Sequence, residues 1–215
     1  TDCSAKRGSA IFWNATDGEI TSSNFISCIS SDYGGAVYWL KDNGRITDCQ
    51  ITDCRAGIYG GGIDWEGGNG NLTHSDIVNC SALLFAGGVY WNGDGGTCTD
   101  CSFINCSSNS DASAVYWTGE NGKIENSTFE QSDNDNCHAI YAEKEVTVSN
   151  SRFKTAAGKD LSDAISGANI EKCEVIGESK TSPNLNVNIR ENIEIGENQT
   201  VRVTISDDAT DYVYI

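Results

Sequence analysis

Apolar residues in this chain fall into three short patches, separated by Gly-, Asn- and Ser-rich stretches, and the pattern repeats every 26 residues. The first patch ends in tryptophan: Gly34-Gly35-Ala36-Val37-Tyr38-Trp39 has counterparts ending at Trp13, Trp65, Trp91 and Trp117. A corner follows each copy, at Asp17-Gly18, Asn43-Gly44, Asn69-Gly70, Gly95-Gly96 and Asn121-Gly122; Asn-Gly and Asp-Gly supply the positive φ of a tight turn. The second patch is marked by Ile20, Ile46, Leu72, Cys98, Ile124, Val148 and Ile170, and the third by Phe25, Ile51, Ile77, Phe103, Phe129, Phe153 and Val175.

A fixed period of this size is the mark of a solenoid. No segment carries a 3.6-residue apolar stripe, and the Gly, Ser, Thr and Asn content opposes helix. Identical columns in every unit favour in-register parallel stacking over hairpins. The predicted fold is therefore all-β: a right-handed parallel β-helix over residues 1–177 with 26-residue coils. About seven rungs spaced ~4.8 Å apart make a rod roughly 30–35 Å long. Strand alternation turns Ile11, Val37, Ile63, Val89, Val115 and Ile140 inward and Phe12, Tyr38, Asp64, Tyr90, Tyr116 and Tyr141 outward. A charged Asp64 in the second column agrees with that direction. The tryptophans fall inward or at the corner, stacking along the rod.

Residues 134–177 are degenerate rungs without Trp, and 154–159 are expected to form a surface loop. The stretch 178–183, with the only proline, reads as a linker. Residues 184–215 alternate like antiparallel strands: either the opening of a truncated immunoglobulin-like module or a cap on the solenoid.

Composition narrows the function. Formal net charge is −17, from 31 acidic and 14 basic residues, which argues against nucleic acid, anionic membranes and polyanionic sugars as ligands. No membrane-spanning run is present. The chain begins without Met or a signal peptide and reads as a monomeric piece of a larger extracellular protein. The ten cysteines follow the repeat: Cys28, Cys54, Cys80 and Cys106 share one column, which Cys3 joins, and Cys49, Cys101 and Cys173 share another. Rungs ~4.8 Å apart do not suit the ~3.8 Å Cβ separation of a disulfide, so buried reduced thiols are expected, with disulfides between neighbouring rungs as the alternative. Cys98 and Cys101 have CxxC spacing but lack a partner pair and read as core.

The Gly-Gly-Ala-Val-Tyr-Trp strand, the Asn-Gly corner and the stretches Asn126-Ser127-Thr128-Phe129 and Phe103-Ile104-Asn105-Cys106 resemble the adhesin-like surface proteins of methanogenic archaea. They are also similar to the repeats of bacterial polymorphic outer-membrane proteins. The resemblance implies a cell-surface location, adhesion to glycans or proteins of other cells, immunoglobulin-like modules after the β-helix, and no catalytic residues.

Three kinds of chemistry are candidates. Parallel β-helices that cleave polysaccharides cluster carboxylates on one face; the best pair here is Asp64 with Glu66, two residues apart and too close for the ~6.5–9.5 Å of an inverting pair. Adhesion is the favoured function, and its candidate binding face is Tyr38, Asp64, Glu66, Tyr90 and Tyr116, beside the small residues Ala36, Gly62, Gly88 and Ala114, forming a shallow groove with an aromatic wall suited to sugar rings or protein; the alternative is that outward tyrosines simply suit strands and stack on one another. A passive stalk is the third reading. No cofactor or metal site is expected: His74 and His138 fall in different columns, and the oxygen-rich turns at Asp42-Asn43-Gly44 and Asn92-Gly93-Asp94-Gly95-Gly96 need no calcium. Asn-x-Ser/Thr sequons lie at Asn14, Asn71, Asn79, Asn105, Asn126 and Asn198, open to glycosylation.

Overall fold

The computed structural model describes residues 1–131, 137–155 and 159–176, together with the backbone of two short strands, Val203–Thr204 and Tyr212–Val213. The chain divides into the units Thr1–Lys180 and Thr181–Ile215. The first is a parallel β-solenoid of about six turns, in which the described strands pair parallel and in register, with a local register shift between Ala5 and Arg7 and another between Ala112 and Val115. In the second, the two described strands pair antiparallel; the linker, the immunoglobulin-like reading and Asn198 otherwise lie outside the described residues.

The turns up to Ser108 contribute strands to four sheets, where the apolar patches predicted three; the later turns contribute to three. The tryptophan sheet begins with Ile11–Trp13, Val37–Trp39 and Ile63–Trp65 and runs to Ile165–Ser166. The second-patch sheet begins at Glu19–Thr21 and the third-patch sheet at Asn24–Ile26. The fourth holds Ser4–Arg7, Ile29–Tyr33, Arg55–Ala56, Ser81–Ala82 and Ser107–Ser108. Its inward residues are small, among them Ser30, Ala56 and Ala82, all buried, so it left no apolar signature in the sequence.

The predicted columns stack inside the coil. Trp39, Trp65, Trp91 and Trp117 have no exposed surface, and successive indole centroids from Trp13 to Trp117 lie 4.8, 5.2, 4.7 and 4.3 Å apart, nearly parallel. Phe103, Phe129 and Phe153 stack the same way at 4.9 Å. Offset aromatic pairs add about 0.5–1.5 kcal/mol each beyond the area they bury, so each rung is stabilised chiefly by its neighbours.

The corners explain the polar composition. A turn of the coil bends at residues in the left-handed conformation, such as Asn43, Asp48, Asp53 and Gly60, then Asn69, His74, Asn79 and Ala86. Asn and Asp tolerate positive φ better than other side-chain-bearing residues. In the Asn-Gly corners it is Asn43 (φ 61°) and Asn69 (φ 53°) that carry it. The glycine serves the tryptophan: a Cβ at Gly44 would lie 2.2 Å from the indole of Trp39, and one at Gly70 would lie 2.4 Å from that of Trp65.

Two of the corners also place the cysteines. The residue after the left-handed one turns inward and donates to the carbonyl two residues back: Ser75 Oγ to Thr73 O at 2.8 Å, Cys49 Sγ to Thr47 O at 3.3 Å, Cys54 Sγ to Thr52 O at 3.3 Å. The strand's last carbonyl needs a donor, and a thiol or a hydroxyl supplies it. Serine and cysteine therefore alternate down one column, as Ser23, Cys49, Ser75 and Cys101. All ten cysteines are thiols, as expected from the rung spacing.

At the end of the solenoid a four-residue helix, Leu161–Ala164, appears where no helix was expected; Asp160 and Asp163 cap it reciprocally. Of the expected loop, residues 156–158 lie outside the described residues, while Lys154 ends a strand and reaches Glu130 at 2.7 Å.

Candidate functional site

The outward column of the tryptophan sheet is continuous and in register: Phe12, Tyr38, Asp64, Tyr90, Tyr116 and Tyr141 are successive neighbours. It leaves the main core, as alternation requires, but most of it is not open. Tyr38 and Tyr116 are buried, Tyr90 and Tyr141 are half-buried, Asp64 has no exposed surface, and Phe12 alone stands clear, at 51 %.

The cover is a second aromatic column that the sequence reading missed. Tyr33, Tyr59 and Phe85, at the ends of the fourth-sheet segments, stack on one another at 5.5 Å. They also pack onto the outward column: Tyr33 on Tyr38 at 5.9 Å, Tyr59 on Tyr90 at 4.7 Å, Phe85 on Tyr116 at 4.6 Å. The signal was in the sequence, since the three positions share the 26-residue step. Each precedes a left-handed residue, Gly34, Gly60 or Ala86, that folds the chain back over the sheet. Phe85 also joins Tyr90, Tyr116 and Tyr141 around Ala86 and Ala112 in a small second core outside the coil.

The small-residue column does not floor a groove either. Ala36 and Ala114 belong to the main core, and a Cβ on Gly62 would point at Ile51 and Ile77. The N–H groups of Gly62 and Ile63 both donate to Gly88 O, at 3.0 Å. Both residues face inward, and strand alternation begins only at Ile63.

The accessible part of this face is its rim. Glu66 Oε2 accepts from Asn92 Nδ2 at 2.7 Å, Asn92 Oδ1 accepts from Thr118 Oγ1 at 2.6 Å, and Tyr116 donates to Glu143 Oε1 at 2.7 Å. At the other end Arg7 lies over the rings of Tyr33 and Tyr38, at 5.1 and 5.8 Å. Burial pushes the Tyr38 and Tyr90 hydroxyls up to about 12, and that of Tyr116 further, with the carboxylates of Glu66, Asp64 and Glu143 adding to it. Burial also holds Asp64 well above the ordinary carboxylate range, and Glu66 acts in the same direction. The five sequence-predicted site residues thus lie together, but Tyr38, Asp64 and Tyr116 are wall and filling, while Glu66 and Tyr90 are the part a ligand could touch.

His74 is a left-handed corner residue 3.5 Å from Asp100, and His138 lies in the tryptophan sheet. The turn carboxylates hold the neighbouring rung: Asp42 Oδ1 accepts from Gly68 N at 2.8 Å and Asp94 Oδ1 from Glu120 N at 2.7 Å. Among the described residues no three His, Cys, Asp or Glu side chains converge on a metal position, and no helix is long and apolar enough to cross a membrane. Compared with known proteins, the chain matches no family model, no curated protein and no solved structure.

Proposed function

We propose that this chain is a non-enzymatic section of a cell-surface adhesin: a rigid solenoid, wound right-handed as parallel crossovers generally are, that presents its outer faces to glycans or proteins of other cells. The likeness of its repeat to adhesin-like surface proteins of methanogenic archaea supports the location, and the strands at its C-terminal end agree with an immunoglobulin-like module there. The observation that carries the reading is the aromatic face itself. Rings stacked at the rung spacing, bordered by Glu66, Asn92, Thr118 and Glu143, offer flat apolar edges beside hydrogen-bonding groups, the combination sugar rings and peptide side chains use. The burial of Asp64 weighs against the polysaccharide-cleaving alternative at this pair, since a polymer cannot reach that carboxyl.

The burial of Tyr38 and Tyr116 favours a second reading, the passive stalk, in which the ladder serves stiffness alone. Glycan-array and whole-cell binding of the purified chain separate the two. The adhesin reading expects binding that Tyr90→Ala and Glu66→Ala weaken at least tenfold; binding unaffected by both substitutions refutes this face, and no binding to any array member or cell leaves the stalk. A fall in polysaccharide chain length on incubation restores the enzyme.

A further inference from the structure

One group on the outer face breaks the pattern of its column. Where the neighbouring rungs place Tyr38 and Tyr90, the rung between them places Asp64. Its carboxyl has no exposed surface, and neither oxygen receives a hydrogen bond from a protein donor. An ionised carboxylate so placed is costly, by several kcal/mol, unless it is paired; a protonated one needs only an acceptor. The surroundings supply one. Glu66, the next residue on the same face of the chain, uses Oε2 for Asn92 and has its other oxygen left. The remaining groups around Asp64 are Tyr38 and Tyr90 from the flanking strands and Arg7 from the first fourth-sheet strand, with Tyr59 of the cover stacked on Tyr90. Arg7 favours the ionised form, but it is exposed and lies over the rings of Tyr33 and Tyr38.

We propose that Asp64 and Glu66 share one proton, Asp64 donating to Glu66, and that this pair is a pH-operated latch on the aromatic cover. Asp64 is shorter than the tyrosine it replaces, and Tyr59, stacked on both Tyr33 and Tyr90, bridges the gap. With the proton in place the pair carries one negative charge and the cover is seated. Release of that proton to solvent leaves two adjacent carboxylates at the Asp64 rung, between Tyr38 and Tyr90, one of them without water, and the cover lifts until Asp64 is hydrated. The direction is fixed: the raised affinity of Asp64 for its proton belongs to the closed state alone. The opening constant therefore rises about tenfold per pH unit from the ordinary carboxylate pKa up to the raised closed-state value and is level above it. The latch stands on its own geometry; only its use as a gate to the aromatic wall rests on the binding reading above.

Two measurements test it on the whole chain without any ligand. Carboxyl carbon NMR follows Asp64 directly: the expected result is a titration well above the ordinary carboxylate range, moved to lower pH by Glu66→Gln, whose amide can donate to an ionised Asp64. Amide exchange at Gly60, which bonds to Phe85 O beneath the cover, is read from about pH 5 upward to the Asp64 midpoint found by NMR, after correction for the intrinsic rate. Opening increases about tenfold per pH unit in the wild type and is level in Asp64→Asn. Asp64→Tyr, which restores the residue of the neighbouring rungs, serves as a second latch-free variant should Asp64→Asn fold poorly. An Asp64 signal that titrates in the ordinary carboxylate range, or a Gly60 profile that is the same in the wild type and a latch-free variant, overturns the proposal.

Discussion

Replacing Gly70 with alanine distinguishes a glycine that makes room for an indole from one that only frees the backbone of a turn. The positive φ of this corner belongs to Asn69, not to Gly70. If conformational freedom were all that mattered, Gly70→Ala would stabilise the fold by about 0.4–1 kcal/mol through the unfolded chain. The structure requires the opposite sign. The new methyl carbon would sit 2.4 Å from Cε2 and Nε1 of Trp65, about 1 Å inside ordinary contact. The indole cannot retreat, because Trp39 lies 5.2 Å away on one side and Trp91 4.7 Å away on the other. Overpacking of this kind costs about 1–3 kcal/mol, leaving a net loss of about 1–2 kcal/mol after the entropic gain, or roughly 5 °C in Tm for a domain of this size. Urea unfolding followed by tryptophan fluorescence reads it, and near-UV circular dichroism reports the disturbed stack. The double variant Trp65→Leu with Gly70→Ala should show the alanine costing less than in the wild type. A Gly70→Ala protein as stable as the wild type, or more so, refutes the assignment of this glycine to the tryptophan column.

Other consequences follow from single contacts. Cys49→Ser should change stability by less than about 1 kcal/mol, because Ser75 already fills the same corner role one rung away, whereas Cys49→Ala loses the donor to Thr47 O and costs about 1–2 kcal/mol; chemical denaturation compares the two. Alkylation of the native protein should modify Cys3, Cys137 and Cys173, which are half-buried, and spare the seven buried thiols until the chain is unfolded, as mass spectrometry of the products will show. Tyr38 and Tyr90 should ionise only near pH 12 in an ultraviolet titration. Their hydroxyls are held neutral by the fold, so their contribution to stability is intact below about pH 10 and is lost as pH rises toward the folded-state value; a titration with every tyrosine ionising near its ordinary pKa of about 10 contradicts the covered wall.

The coil was legible because its largest residues recur at fixed positions: Trp13 through Trp117 and Phe103, Phe129 and Phe153 define the period, the inward columns and the parallel register. Three features escaped, each for a physical reason. The fourth sheet packs inward with Ala and Ser, which carry no hydrophobic signal. At Gly62 and Ile63 two successive residues face inward, because both N–H groups donate to one carbonyl, and alternation counted back from the strand has no way to register that. The cover formed by Tyr33, Tyr59 and Phe85 depends on chain reversal at Gly34, Gly60 and Ala86. The first two are glycines, and an isolated glycine in sequence can mark a turn, a bulge or a close approach equally well. The outward direction of Asp64 was readable; its burial was not, because this face is covered by rings from outside the strand, as Tyr33 covers Tyr38 and Tyr59 covers Tyr90.

The solenoid requires that neighbours along the rod be residues about one repeat apart, and hydrogen-bond scalar couplings measure that directly. A long-range HNCO experiment should connect the amide nitrogens of Arg45, Asn71, Thr97 and Lys123 to the carbonyl carbons of Gly18, Gly44, Gly70 and Gly96, the partners at 2.9–3.0 Å in the second-patch sheet. Those four correlations, each spanning a full turn, are the predicted result. Correlations that instead join residues within one repeat, as in a hairpin, contradict the solenoid and the aromatic face built on it.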